Sequence, residues 1–123
     1  MDRNPNATRT PDAKKRDFTV GMEEELFLVD GATFACVTEM PDGFRSEAER
    51  RLGPHFSLEM VPSTIELVSG CHERMADLAR EMRDLRREAV AVADSHGLAL
   101  LACGTHPFSD WIEQPPTSEP RYE

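Results

Sequence analysis

No stretch of this 123-residue chain is long enough or apolar enough to cross a bilayer; the longest, around Leu98–Cys103 and Ala89–Ala93, fall far short of a membrane span. No apolar core follows the charges near the start, which excludes a secretory signal. Cysteine is scarce: Cys36, Cys71 and Cys103 make an odd number without a C-x-x-C pair. Neither a disulfide framework nor a thiolate zinc site is expected, and reduced thiols in the cytoplasm fit better. Basic residues number 14 against 23 acidic, a net charge of −9, so there is no basic face of the kind a nucleic-acid binder needs. A Gly-rich phosphate loop and internal repeats are also missing. What is left is one soluble domain with a strongly acidic balance, suited to cations as partners.

The charge is unevenly spread. Residues 1–16 carry Arg3, Arg9, Lys14, Lys15 and Arg16 against two aspartates, a net +3, and leave −12 for the rest. With almost no large apolar side chains and two prolines, this leader cannot bury enough surface to offset the entropy of ordering, and disorder is expected. From Phe18 the pattern alternates with a period of two to Asp30, which reads as a strand. Asp30-Gly31 supplies turn chemistry, and Thr33–Met40 reads as the second strand of a hairpin. Phe44–Leu52 reads as a short helix. Phe56–Met60 and Thr64–Ser69 read as strand pieces broken by Pro62, which cannot donate to a ladder. Between His72 and His96 the apolar period changes to that of a helix: Met75, Leu78, Met82, Leu85, Ala89 and Val92 form one stripe, with Gly97 just past its end. Leu98–Cys103 reads as a buried strand and Gly104–Phe108 as a loop. The order predicts an α+β fold, a largely antiparallel sheet with a long amphipathic helix packed on it.

The most informative segment is Gly21–Asp30, GMEEELFLVD. Glutamate is a poor strand former, yet three stand in a row inside an apolar strand. Alternation puts Glu23 and Glu25 on one face, roughly 6–7 Å apart at their Cα atoms, and Glu24 on the other. Like charges that close raise each other's pKa unless a cation lies between them, and carboxylate oxygens are the ligands magnesium prefers. A solvent-facing acidic strand and a structural ion pair are the competing readings. Glu66, inside the apolar run Thr64–Val68, demands a partner if buried: a metal, or an arginine of the long helix. Glu59 lies seven residues earlier, its facing open because Pro62 interrupts the alternation.

The pattern G-x-E-x-E-L-F-L-V-D, then E-x6-E-L-V-S-G, a long amphipathic helix and L-L-A-C-G-T-H-P-F resembles the bacterial carboxylate–amine ligase family, also called glutamate–cysteine ligase type 2. The resemblance covers Phe18–Glu123, about the N-terminal third of a usual member. It implies a glutamine-synthetase-like catalytic fold and an ATP-dependent ligation. A carboxylate is phosphorylated and an amine then displaces phosphate from the acyl phosphate; glutamate and cysteine are the default substrates. It further implies that Glu23, Glu25, Glu66 and Glu59 hold Mg2+ (or Mn2+) bridging ATP phosphates, and that Thr105, His106 and Arg121 line the substrate site. Such a clamp is what phosphoryl transfer needs, since its catalysis is mostly positioning and electrostatics.

Because the matched part lacks a downstream histidine strand and a complete nucleotide site, the chain is expected to be a ligase fragment with negligible turnover alone. The competing reading is a non-catalytic module or ligase remnant that self-associates as a homodimer, since the Met75–Val92 stripe is compatible with a coiled-coil seam. A helix covering a sheet explains the same stripe. Thiol catalysis by Cys71 beside His72 is discounted as resting on one adjacent pair. No nucleic-acid or membrane partner is expected.

Overall fold

The computed structural model describes residues 18–118; the expected leader, residues 1–16, and Arg121 lie outside them. Four strands form one antiparallel sheet: β1 (Glu23–Asp30), β2 (Phe56–Leu58), β3 (Thr64–Val68) and β4 (Leu98–Leu101), in the spatial order β2-β3-β1-β4. Two helices, α1 (Phe44–Leu52) and α2 (Met75–Ser95), complete the α+β architecture.

Both helices cover one face of the sheet. The core joins Leu26 and Leu28 of β1, Ile65 and Leu67 of β3 and Leu98 of β4 to Phe44, Ala48 and Leu52 of α1 and to α2. The stripe on α2 is buried from Leu78 to Val92, whereas Met75, in the first turn, is exposed. Within the chain, then, the sheet takes up the apolar face that a coiled-coil seam would need. A bidentate ion pair ties the layers at their edge: Arg86 Nε and Nη2 donate to the Glu24 carboxylate at 2.6 and 2.7 Å. A second tie runs from the exit of β3, where Gly70 N donates to Glu81 Oε2 at 2.9 Å and His72 Nε2 lies 2.6 Å from the same oxygen.

The hairpin expected over Thr33–Met40 does not form. The chain turns back after Asp30, whose Oδ1 accepts from Ala32 N and from both Thr33 N and Oγ1. It then makes only one bridge, Val29 to Cys36. The reason lies in the edge of β1 that such a strand would need. β3 pairs with β1 from Glu23 to Phe27, and Leu28 N still donates to Ser63 O at 2.6 Å. Only the last residues of β1 stay open on that side, and there Asp30 N donates to Ala35 O and Val37 N to Leu28 O. The last strand is also shorter than expected: β4 stops at Leu101, and Cys103 is half-buried.

The turn after β1 meets the end of α2 through backbone alone. Gly31 N donates to Gly97 O at 3.0 Å, and a Cβ on Gly31 would lie 2.7 Å from that oxygen. Gly97 itself, just past the helix, holds φ +72°, a left-handed position that glycine takes without steric cost.

Two outcomes follow. Leu28→Ala, at a fully buried position in the core, is expected to cost about 2–5 kcal/mol in urea denaturation. Glu81 is held below the usual glutamate range, chiefly by the hydrogen bond from His72 and also by that from Gly70 N. A pKa depressed in the fold contributes stability above the unfolded-state value, about 4.3, and loses it as pH falls through the lowered folded value. The stability gap between wild type and Glu81→Gln, read from urea midpoints, should therefore be largest near neutrality and shrink below about pH 4.

Candidate functional site

The face of the sheet turned away from the helices carries the acidic side chains. β1–β3 register sets Glu25 opposite Glu66, and β2–β3 register sets Ser57 opposite Glu66 on its other side. Ile65 and Leu67, the neighbours of Glu66, belong to the helix-side core, so alternation turns Glu66 the other way. Glu59 follows β2 directly. Despite Pro62, the turn through residues 59–63 brings it back to the same place: one carboxylate oxygen from each of Glu25, Glu59 and Glu66 lies within 4.8 Å of the others. Glu25 is exposed and the other two are half-buried.

Glu23 stands outside this group, paired in register with Val68. Cross-strand neighbours lie about 5 Å apart, whereas i and i+2 on one strand are separated by about 6–7 Å. Convergence across strands therefore selects Glu25 and Glu66 over the pair Glu23 and Glu25. The ion pair to the long helix also falls elsewhere than at Glu66: Glu24, on the helix side, makes it with Arg86.

Thr117 helps to fix Glu59. Its backbone N donates to Met60 O at 2.7 Å and its Oγ1 donates to Glu59 O at 2.6 Å. The segment after the short 3-10 turn Trp111–Glu113 thus lies against the turn that carries Glu59. No periodicity or composition signal in QPPTS marks Thr117 for this.

Beside the carboxylates lies a cleft of about 640 Å³ whose walls include Phe27, Met60, Trp111, Ile112 and Thr105. A smaller one of about 320 Å³ is lined by Glu25, Thr64 and Cys103, and it shares Phe27 and Gly104 with the first. Thr105, exposed on the loop after β4, is open to a ligand.

His106 is not. It is buried, its Nε2 lies 2.9 Å from Phe34 O, and its Nδ1 accepts from Ser109 N at 3.0 Å. An Nδ1 that accepts a backbone N–H carries no proton, which makes Nε2 the donor to Phe34 O. Both ring nitrogens are occupied by backbone, and the ring edges onto Phe27 and Phe108 with centroids 5.7 and 4.7 Å away. His106 lines the cleft, as expected of a substrate-lining residue, and its ring holds Phe34 against the 106–109 loop. Arg121 lies outside the described residues. His106→Ala leaves the Phe34 carbonyl and the Ser109 N–H without their ring partners and is expected to cost about 1–3 kcal/mol in urea denaturation.

Comparison with known proteins follows the same lines. The model of glutamate-cysteine ligase family 2 (GCS2) matches residues 19–123. A Bradyrhizobium sp. (strain ORS 278) protein is 37% identical over 106 residues, covering 86% of this chain and 26% of its own length. A Micrococcus luteus protein is 40% identical over 122 residues, covering 92% of this chain and 30% of its own. One from Pseudomonas aeruginosa PAO1 is 35% identical over 102 residues, covering 83% and 27%. All three bear the name "Putative glutamate--cysteine ligase 2". The chain thus spans between a quarter and a third of the length of these relatives. No solved structure matches it. With the family model covering nearly the whole described region and relatives agreeing at 35–40% identity, the chain belongs to glutamate-cysteine ligase family 2.

Proposed function

We propose that this chain supplies the metal-holding part of an ATP-dependent carboxylate–amine ligase. The observation that carries this is the convergence of Glu25, Glu59 and Glu66 from three separate segments onto one point. The donor set fits a hard divalent cation. Magnesium takes oxygens at about 2.0–2.1 Å in an octahedron, so opposite ligands are about 4 Å apart, and a group spanning 4.8 Å needs only small side-chain rotations to close. Mn2+ accepts the same oxygens.

In that reading Glu25, Glu59 and Glu66 hold Mg2+, with Glu23 further along the strand and Thr117 steadying Glu59. The bound ion supplies charge neutralisation to the phosphates of ATP and to a carboxylate as it becomes an acyl phosphate. Glutamate as the carboxylate and cysteine as the amine are the default substrates, by the name that the relatives carry. A glutamine-synthetase-like catalytic fold is supported by an antiparallel sheet with helices on one face and carboxylates on the other. Three free cysteines and dependence on ATP suit the cytoplasm.

The rest of the nucleotide site would come from the larger part of the ligase. Among the described residues, three of the four α2 arginines are engaged in ion pairs away from the carboxylates, Arg86 with Glu24, Arg80 with Asp77 and Arg87 with Asp84. The 123-residue chain is accordingly expected to show no Mg2+-dependent ATP consumption alone.

Calorimetric titration with Mg2+ and Mn2+ tests the centre itself. Glu25→Gln and Glu66→Gln should each weaken binding by about tenfold or more, as loss of one charged ligand requires, while Glu23→Gln should change it by less than about threefold. Equal losses at all three positions would mean a diffuse acidic surface and would sink the reading.

A further inference from the structure

The sheet ends at β4, which among the described residues pairs with β1 alone. Leu28 N and Asp30 N point away from β4, to Ser63 O and Ala35 O, so Phe27 and Val29 face it and are met by Leu101 and Ala99. Leu98 and Leu100 therefore turn their N–H and C=O groups outward. Edges are commonly guarded by charge or proline. Residues 97–105, GLALLACGT, hold neither, in a chain that is 30% charged.

The long helix continues this side of the molecule. Glu81 of α2 reaches the exit of β3 and Glu88 and Ser95 reach α1, whereas Arg86 reaches β1 on the opposite side. With roughly 100° between successive residues, Arg83 and Val90 lie beyond Arg86 round the helix, away from α1 and above β4. Val90 is an apolar side chain left 45% exposed. Gly97 separates α2 from β4, so levels along the two can be matched. Leu100 lies about 10 Å from Gly97 along the strand, the length of roughly six or seven helical residues, which sets Val90 level with it. Arg83 and Asp94 are exposed on either side of Val90, and among the described residues neither has an ion-pair partner.

We propose that a second copy of this chain docks on this side, about a two-fold axis that passes between the two Leu100 backbones perpendicular to the sheet. β4 then pairs antiparallel with its counterpart, Leu100 against Leu100 and Leu98 against Ala102, and the outward backbone groups find partners. The same axis sets Val90 against Val90. The two α2 helices run antiparallel, which brings Arg83 of each copy to about 5 Å along the axis from Asp94 of the other, within reach of an arginine side chain. One cation and one anion placed on either side of an apolar centre complement themselves under a two-fold, and that self-complementarity selects a second copy over an unrelated strand. The contact uses the flank of α2 and leaves its buried stripe in the core. It stands apart from the ligase reading, and it puts the acidic clusters of both copies on one face of a continuous sheet.

Sedimentation equilibrium of the 123-residue chain should give a mass that rises with concentration toward twice 13.8 kDa. Val90→Glu sets two carboxylates against each other at the axis, and Ala102→Pro removes an N–H from the edge. Both positions are exposed. Each variant should keep its far-ultraviolet circular dichroism and weaken the dimer by about tenfold or more. Arg83→Glu and Asp94→Lys should each weaken it about three- to tenfold, and the double variant should restore it. The two residues are about 16 Å apart along one helix, so only a contact between copies can produce that restoration. A dimer indifferent to both Val90→Glu and Ala102→Pro, or no restoration in the double variant, overturns the proposal. A monomer at every concentration overturns it too and assigns the edge to a strand of the larger ligase. Mg2+ affinity reads the metal centre separately, because none of these substitutions falls in the acidic cluster.

Discussion

Every feature of the acidic face depends on β1 being clamped between β3 and β4 with its alternation unbroken. An isolated strand with three consecutive glutamates has little reason to stay extended. Here β3 pairs with it from Glu23 to Phe27 and β4 from Phe27 to Asp30, so Phe27 is paired on both edges. Leu26 and Leu28 are buried under the helices on one side, which forces Glu25 and Phe27 to the other. Because the side-chain period of a strand is two, a slip by one residue would bury Glu25 beneath α2 and carry Glu24 away from Arg86. The Glu24–Arg86 pair therefore acts as a register lock as much as a source of stability. Being partly exposed, it contributes modestly by itself.

The layout that results is asymmetric in a useful way. Apolar surface is concentrated between the sheet and the helices, and Arg80, Arg86 and Arg87 of α2 pair with acidic side chains on that side. The opposite face keeps its carboxylates clear of those arginines. The proposed cation would meet oxygens from β1 and β3, set by ladder hydrogen bonds, and from the turn between β2 and β3, tied down by Thr117. Ligands set on paired strands are held more rigidly than ligands on free loops, and rigid placement is what an electrostatic site requires.

Much of this was legible in the residues. Alternation from Phe18 onward separates Glu24 from Glu25, the step-of-three-and-four stripe marks α2, and Gly97 marks its end, because each depends on local chemistry and short-range period. Phe44–Leu52, with its spaced Phe44, Ala48 and Leu52, reads correctly for the same reason. Competition was not legible. Thr33–Met40 has the composition of a strand, but β3, some thirty residues later, takes the edge it would need. Nothing local to His106 shows that Phe34 O and Ser109 N will engage both of its ring nitrogens. Thr117 carries no pattern at all, since its position comes from tertiary contacts between irregular segments. The convergence of Glu59 with Glu66 across Pro62 likewise depends on the path of a turn, which alternation cannot foresee.

The links that close the cleft span long stretches of chain. His106 to Phe34 joins residues 72 apart, Cys36 N to Ser109 Oγ residues 73 apart, and Thr117 to Glu59 residues 58 apart. Closing such long loops costs entropy before any contact is gained, while α2 and its caps form from neighbours within a few residues. The β1–β4 ladder spans the same distance in sequence, from Asp30–Leu98 to Phe27–Leu101, so the cleft walls and that edge of the sheet share one closure cost. During synthesis, the carboxylate face stands open until the segment from Gly104 to Thr117 arrives to flank it. The cleft beside the carboxylates is thus sealed by the same long-range closure that brings β4 to β1.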